Sequence, residues 1–169
     1  LALELRTERN AAAPAFADAV AAELHDVGMG EGEFVCDLRE RDVGSTGGDE
    51  AVFLVRPNAG MPFAPVAETA SGGELSRIAL AIAAVAGGET LVFDEIDAGI
   101  GGETANAVGR VLRRLGERAQ VITIKHLPQI AAVADRHFRV EKIPGDPTHT
   151  RIEQLGEAER NAELERMLG

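Results

Sequence analysis

The chain has 169 residues, of which 45% are hydrophobic and 27% charged, a composition typical of a globular domain large enough to bury a core. Its 17 basic and 28 acidic residues give a net charge of −11, which argues against a free-standing module that binds DNA mainly by neutralising phosphates. No apolar run approaches the ~20 residues needed to span a bilayer, and Cys36 is the single cysteine, so no disulfide framework exists and a reducing cytoplasm is expected.

The first 30 residues are predicted to be helical in two pieces. Residues 1–11 have the pattern of the end of a helix. Pro14 is expected to break this helix, because proline has no backbone N–H group to donate a hydrogen bond. Residues 14–27 form a second helical pattern, which Gly28 closes. Because the chain lacks an initiator Met and opens inside a helical pattern, we expect it to belong to a longer polypeptide. The apolar face of the second helix consists of Phe16, Val20 and Leu24.

Two strands are predicted after this helical region. Residues 33–40 alternate apolar and polar side chains, as in a half-buried strand, and residues 51–57 form a second strand that Pro57 stops. The turn-rich stretch 43–50 connects the two strands, and residues 58–70 are expected to be a loop. The apolar face of the first strand is predicted to be Phe34, Cys36 and Leu38.

From Ser71 onward, helices alternate with short apolar strands. This alternation predicts an α/β fold with a parallel-strand core and a small antiparallel part. The strands over 90–93 and 120–124 are apolar on both faces and are expected to be buried. Helices are predicted over 75–87, 103–115, 128–134 and 157–168, and further strands over 137–143 and 149–155.

The sequence Ser71-Gly72-Gly73-Glu74 opens the helix predicted from residue 75. In a purely structural interpretation it is a capping box, in which Ser71 caps the helix and Glu74 returns a hydrogen bond. A capping box, however, requires no pair of glycines. Two glycines at a helix start leave backbone N–H groups uncovered beside the positive end of the helix dipole, which suits a phosphate group.

The sequence Leu91-Val92-Phe93-Asp94-Glu95 places two consecutive carboxylates at the end of an apolar strand. This edge of an α/β sheet is where ligands bind. Because side chains alternate along a strand, the two carboxylates point in different directions and can take different roles. In a phosphoryl-transfer site, Asp94 would hold Mg²⁺ and Glu95 would polarise the attacking water. An acidic exit from a strand is the common structural alternative.

His126 follows the strand 120–124 at the same kind of edge, whereas His25, His137 and His149 lack such a placement and are interpreted as surface residues. A single histidine is more often structural than catalytic. The order of the motifs is harder to produce by chance: a Ser-Gly-Gly-Glu helix start, then an Asp-Glu strand end about twenty residues on, then a strand-terminal histidine about thirty residues further. Together the three motifs predict a phosphate-handling site.

These motifs resemble those of the ABC ATPase superfamily, and within it the SMC-like DNA-repair heads. Residues 71–74 look like the signature loop, residues 91–95 like Walker B with its catalytic glutamate, and His126 like the switch histidine of the H-loop. Residues 96–105, here called the D-loop segment, stand where the D-loop falls. The chain is most similar to the bacterial RecN proteins. That similarity is carried by residues 53–82, 93–105 and 126–135.

The sequence departs from the common ABC pattern in several places. Ala70 stands where many ABC proteins have Leu, Gly101 occupies the usual D-loop aspartate position, and Lys125 replaces the Thr or Ser that commonly precedes the switch histidine. No P-loop of the form G-x-x-x-x-G-K-[ST] occurs, because the two lysines, Lys125 and Lys142, do not follow a glycine. In SMC-like families that motif lies in an N-terminal segment, separated from this half by a long coiled coil.

The resemblance implies that the chain is the C-terminal half of an ATPase head. Residues 1–12 would be the end of a coiled-coil arm, and residues 13–169 the C-terminal lobe of the head. The implied ligands are ATP and Mg²⁺, with the metal held by Asp94 and catalysis performed by Glu95 and His126. The residues implied in nucleotide binding are Ser71, Gly72, Gly73, Glu74, Asp97 and Gly99.

The resemblance also implies partners and a process. The partners would be the N-terminal P-loop half of the same head, a second head in a homodimer, and double-stranded DNA or DNA ends bound through the full-length protein. The process would be DNA double-strand break repair and recombination by a cytoplasmic, nucleoid-associated protein that does not contact membranes. Without the P-loop half, this chain is expected to be inactive, and its uncovered sheet is expected to make it poorly soluble.

Other interpretations of the same motifs stay open to different degrees. The nearest is the head half of another SMC-like protein, of the Rad50, cohesin or condensin type. A transporter ATPase subunit is disfavoured, because its P-loop should lie in the same compact domain. A dinucleotide-binding enzyme that uses the glycines of residues 99–102 fails on spacing, since the third glycine of the motif would fall at Thr104. The isolated chain could also be an interaction module without ATP chemistry, although the retention of Glu95 argues against this for the parent protein.

Overall fold

The computed structural model of the chain describes residues 1–30, 32–56, 60–69, 71–145 and 147–168. Within this part, the chain forms six helices and seven strands, arranged in one three-stranded and two two-stranded sheets. The predicted α/β fold is confirmed, with one parallel pair of strands and two antiparallel sheets. None of the helices in the described ranges is long and apolar enough to cross a membrane.

The N-terminal region is one continuous helix, α1 (Ala2–Asp26), and the break predicted at Pro14 is wrong. Proline removes one backbone hydrogen bond, but contacts on both sides of it hold the helix. On the N-terminal side, Arg6 binds the buried carboxylate of Asp49 at 2.5 Å; on the C-terminal side, Leu24 is fully buried. The helix runs through the expected boundary at residue 12, and the division of the chain there stays a prediction.

A long antiparallel hairpin packs against α1. Its strands are β1 (Glu33–Gly44) and β2 (Gly47–Arg56), so both predicted strands are confirmed and the turn is much shorter than the predicted stretch 43–50. The half of β1 nearest the turn is polar and exposed. The alternation of apolar and polar residues that predicts a strand is therefore missing there. The rings of Phe16, Phe34 and Phe53 lie 5.4–6.4 Å apart and join the helix to the hairpin.

The region predicted as a loop over 58–70 contains two short elements in its described part. These are β3 (Ala64–Pro65), which pairs with β2, and the single-turn helix α2 (Val66–Thr69). Residues 57–59 and 70 lie outside the described residues, and so the predicted end of the second strand at Pro57 is not described.

The second half of the chain closely follows the predicted alternation. The helix α3 (Gly72–Ala86) leads to β4 (Thr90–Phe93), and α4 (Gly102–Gly116) crosses to β5 (Gln120–Thr123), which pairs with β4 in parallel. The remaining elements are α5 (Pro128–Ala132), the antiparallel pair β6 (Phe138–Ile143) and β7 (His149–Gln154), and α6 (Glu157–Leu168).

The hydrophobic core lies between α1, α3 and α4 and covers only one face of the β4–β5 pair. Phe93 on the inner face is buried, whereas Val92 is 65% exposed on the opposite face. Ile122 and Ile124 are also exposed, by 49% and 56%. The prediction that both strands are buried on both faces is therefore wrong for the described part of this chain: their outer face is apolar but uncovered.

Candidate active site

The signature loop, residues 71–74, combines a structural cap with an open backbone. Ser71 is extended at the N-cap of α3, and its N–H donates to Oε2 of Glu74 at 2.7 Å, as in a capping box. This hydrogen bond from the Ser71 backbone lowers the pKa of the Glu74 carboxyl below its usual value. Glu74 thus stabilises the loop, while Ser71 and Gly72 are exposed.

The two glycines of the signature loop make different contacts. A Cβ atom added to Gly73 would lie 2.5 Å from the carbonyl oxygen of Ala98, a distance that requires the backbone to shift. A Cβ atom added to Gly72 would lie 3.4 Å from Oε2 of Glu95, an ordinary van der Waals distance. The signature loop therefore packs directly on the segment that follows β4, with Gly72 beside the carboxylate that was predicted to be catalytic.

Asp94 and Glu95 follow β4, and both are exposed. The Ser76 hydroxyl of α3 donates to the carbonyl oxygen of Asp94 at 2.6 Å, which fixes the end of the strand against α3, here also called the signature helix. Glu95 has a φ of 52° and is the single non-glycine residue in the left-handed region within the described part of the chain. A glutamate there is strained, and such strain is found mostly at functional sites where the surrounding structure enforces it.

Asp97 connects the D-loop segment to His126 and Leu127, the residues after β5 that are here called the H-loop. The residue is 6% exposed, and its Oδ2 accepts hydrogen bonds from the backbone N–H groups of His126 and Leu127, the second at 2.7 Å. Asp97 thus holds the backbone of His126 and Leu127, and its role in nucleotide binding stays a prediction. Gly99, the other predicted contact in this segment, is exposed with a φ of 72°.

His126 is exposed beyond the end of β5, whereas the neighbouring Lys125 is partly buried. The Lys125 Nζ lies 3.1 Å from Nε2 of His137, which is only 7% exposed. The interpretation of His137 as a surface residue is therefore wrong, while His25 and His149 are exposed as predicted. Burial lowers the pKa of Lys125, and burial followed by the Lys125 charge lowers the pKa of His137.

Two features of the site, the burial of Arg77 and the hydrogen bonds of Asp97, were not foreseen from the sequence. Arg77 is 7% exposed and donates to the Ala98 carbonyl oxygen at 3.2 Å. A charged residue inside the apolar pattern of α3 was the available indication. The role of Asp97 had no such indication, because its hydrogen-bond partners lie 29 and 30 residues further along the chain.

The described residues of the site do not by themselves form a complete set of metal ligands. Within the described ranges, no group of three or more His, Cys, Asp or Glu side chains could hold a metal ion. Mg²⁺, however, keeps several waters and is commonly bound through one or two carboxylates plus substrate phosphates. The exposed carboxylate of Asp94 at a strand end fits that mode of binding.

No family model matches the chain. Comparison with curated proteins gives 42% identity over 174 residues to the DNA repair protein RecN of Xylella fastidiosa, which covers 98% of this chain and 31% of that protein. RecN of Haemophilus influenzae is 41% identical over 99% of the chain and 31% of its own length. The chain is a relative of the bacterial RecN proteins. The resemblance to RecN stated from the sequence is confirmed, and the chain spans about a third of the length of these relatives.

Solved SMC heads share the fold of this RecN relative. The Smc head domain of Pyrococcus yayanosii superposes with a TM-score of 0.67 at 24% identity, covering 92% of this chain and 29% of that one. A second structure, from work on ATP-driven dimerisation and DNA-stimulated activation of SMC ATPases, has a TM-score of 0.59 at 20% identity and covers 92% of both chains. Because identity to the RecN proteins is much higher, RecN is favoured over the other SMC-like alternatives.

Proposed function

We propose that this chain is the C-terminal half of an SMC-like ATPase head, which binds and hydrolyses ATP when two heads dimerise, in DNA double-strand break repair and recombination. The observation that carries the proposal is the physical connection between the four motif segments. The signature helix contacts the strand end through Ser76 and Asp94 and the D-loop segment through Gly73 and Ala98. Asp97 of the D-loop segment then holds the H-loop.

The two carboxylates after β4 would divide the chemistry of hydrolysis. Asp94 would hold Mg²⁺, and this ion would neutralise charge on the β- and γ-phosphates. Glu95 would orient and polarise the water that attacks the γ-phosphorus, a role that an exposed carboxylate at a strand end can fill. The left-handed backbone of Glu95 supports this role, since the surrounding contacts hold the residue in a conformation that it would not otherwise prefer.

The signature loop and His126 would contact the γ-phosphate from two different heads. The exposed backbone of Ser71 and Gly72 at the start of α3 presents N–H groups and a helix N-terminus, which suits the phosphate bound on the opposing head. His126, whose backbone is held by Asp97, would contact the phosphate bound in its own head and respond to its loss. ATP would thereby join two heads, and hydrolysis would separate them.

The P-loop would come from the N-terminal half of the same head. The outer face of β4 and β5 is apolar and exposed at Val92, Ile122 and Ile124. An open cleft runs from the β5 part of this face, past His126, to β6 and α6. An uncovered apolar sheet face of this kind suits another layer of protein. The P-loop half is the occupant with a chemical reason to lie there, because His126 is on the rim of the same cleft.

The proposed contact with DNA would be made by the assembled full-length protein, in the cytoplasm at the nucleoid. The net charge of −11 leaves little reason for this chain alone to bind duplex DNA strongly. The link to repair comes from the RecN relatives, which are named as DNA repair proteins.

The proposal is tested by Mg-ATP hydrolysis in three samples: the chain alone, the chain mixed with the P-loop half, and that mixture with Glu95→Gln. The expected result is hydrolysis only in the mixture, reduced by about 10²–10⁴-fold in the variant. Binding of a fluorescent ATP analogue to the mixture should persist in Glu95→Gln, because the variant keeps the phosphate-binding groups. Hydrolysis by the lone chain, or a fully active Glu95→Gln, would refute the proposed assignment of the phosphate site.

A further inference from the structure

Arg77 is an unusual group in the interior of this protein. Four polar or charged residues are buried within the described part of the chain, namely Asp49, Arg77, Asp97 and His137. Asp97 accepts two backbone N–H groups, and Asp49 forms ion pairs with Arg6 and Arg9, although its Oδ2 accepts no hydrogen bond in the described residues. Arg77 donates to a single carbonyl oxygen, and its Nε has no partner in the described residues. The carboxylate of Glu74 acts on its charge, but none of the ion pairs found there involves Arg77. A buried charge with so few partners disfavours folding, and so its presence calls for another reason.

The acceptor of Arg77 is the same atom that Gly73 approaches. The Ala98 carbonyl oxygen accepts a hydrogen bond from a terminal guanidinium nitrogen of Arg77 at 3.2 Å. The same oxygen lies 2.5 Å from the point that a Cβ atom would occupy if one were added to Gly73. Gly73 and Arg77 are one helical turn apart on α3, so they present one face to this oxygen. Ala98 is thus held by both the close approach of a glycine and a donor from an arginine.

We propose that Arg77 is a positioning residue of the ATPase site, which acts through the Ala98 carbonyl to hold the signature loop and the catalytic strand end at a fixed separation. Arg77 itself does not touch the nucleotide. The Ser76 contact with Asp94 fixes the beginning of the segment that follows β4, and the Arg77 contact fixes it four residues later. Glu95 lies between these two anchors, which explains how its left-handed backbone is maintained.

This inference rests on the proposed function and extends it to communication between the two ATP sites. In a head dimer, Ser71 and Gly72 would serve the nucleotide of the opposing head, whereas Glu95 would serve the nucleotide of its own head. Because Arg77 joins these two groups within one chain, movement of the signature loop on the opposing phosphate is transmitted to Glu95. Loss of Arg77 then impairs the chemical step and leaves ATP binding by the P-loop half intact.

The test compares Arg77→Met and Arg77→Lys with a matched control in the full-length ATPase. Arg118 provides the control, because it also donates to a backbone carbonyl of α3, that of Ala84, but at the end of the helix away from the site. We expect Arg77→Met to lower kcat by about 10–100-fold, the effect of misplacing a catalytic group by about 1 Å, and Arg118→Met to stay within about twofold of wild type. The Kd for ATP should change by less than about twofold in both variants.

Arg77→Lys keeps the charge and one donor but not the planar guanidinium, and so its kcat should lie between those of wild type and Arg77→Met. If Arg77→Met fails to fold, Arg77→Lys decides the matter: a folded protein with kcat lowered by about threefold or more at unchanged Kd supports the proposal, and wild-type kcat overturns it. Equal kcat for folded Arg77→Met and Arg118→Met also overturns it. These outcomes are distinct from failure of the proposed function, in which the wild-type head itself does not hydrolyse ATP.

Discussion

The carboxylate of Asp97 fixes the backbone of His126 across 29 residues of sequence. Its Oδ2 accepts the N–H groups of both His126 and Leu127, and the side chain that does so is buried. The exposed imidazole of His126 therefore projects from a backbone that is anchored to the segment following Glu95. The position of His126 therefore depends on the same segment as the position of Glu95.

Replacement of Asp97 should release the H-loop. In Asp97→Ala the N–H groups of His126 and Leu127 lose their acceptor, and we expect the free energy of unfolding of the assembled head to fall by about 2–4 kcal/mol, since an unsatisfied donor costs about 1–3 kcal/mol. Asp97→Asn keeps an oxygen acceptor and should lose only about 1 kcal/mol, the difference between a charge-assisted and a neutral pair of hydrogen bonds. Urea unfolding measures both values. Amide exchange at Leu127 that is equally slow in wild type and Asp97→Ala would contradict the anchoring role.

The left-handed backbone of Glu95 predicts a separation of stability from activity. Glu95→Gln keeps the strained conformation, whereas Glu95→Gly can adopt it without steric cost. We expect the free energy of unfolding of the glycine variant to equal that of the glutamine variant or to exceed it by up to about 1 kcal/mol. The left-handed backbone costs a non-glycine residue about 1–2 kcal/mol, and glycine offsets part of that gain because it loses more conformational entropy on folding. Both variants should lose ATP hydrolysis. A glycine variant clearly less stable than the glutamine variant would mean that the backbone of Glu95 is not strained.

The close packing of Gly73 predicts that the two signature glycines differ in their tolerance of alanine. Gly73→Ala places a Cβ against the Ala98 carbonyl and should lower the free energy of unfolding by about 1–3 kcal/mol, as overpacking does. Gly72→Ala makes an ordinary contact with Glu95 and should stay within about 1 kcal/mol of wild type. Gly116→Ala is the control, because nothing lies within 4 Å of its added Cβ and alanine favours a helix. Equal stability of all three variants would contradict the packing of α3 on the D-loop segment.

The local pattern of the sequence predicted much of the second half of the fold. Apolar periodicity gave α3 and α4, and short apolar runs gave β4 and β5, because these elements bury well-defined faces in one core. The placement of Asp94 and His126 beyond the ends of two neighbouring parallel strands also followed from the sequence, because the carboxyl ends of such strands lie at one edge of the sheet. The order of motifs was therefore enough to predict that these segments lie at one edge of the sheet.

Features that depend on contacts between distant segments could not be predicted. The helix continues through Pro14 because its two halves are anchored to different parts of the molecule. His137 is buried because it meets Lys125 from another strand end, and Asp97 faces the H-loop rather than solvent for a similar reason. The outer face of β4 is apolar at Val92, yet nothing in the described part of the chain covers it.

The contact between Lys125 and His137 predicts a dependence of stability on pH. Burial and the Lys125 charge, with a smaller contribution from Arg160, lower the pKa of His137, while Glu163 opposes this shift. Below about pH 6.5 the unfolded chain binds a proton at this histidine that the folded chain does not yet bind. The unfolded state then binds more protons, and so the free energy of unfolding falls as the pH falls from about 7.5 to 5.5. Protonation of Nε2 would also remove the acceptor that faces the Lys125 ammonium group.

Urea unfolding of the assembled head at several pH values measures this effect. His137→Gln should flatten the decrease between about pH 7.5 and 5.5, because glutamine does not titrate there. Lys125→Met should flatten it only in part, since burial is the larger cause of the lowered pKa. His149→Gln is the matched control, because it makes the same substitution at an exposed histidine away from Lys125. A His137→Gln profile that is as steep as the wild-type profile would assign the pH dependence to other groups.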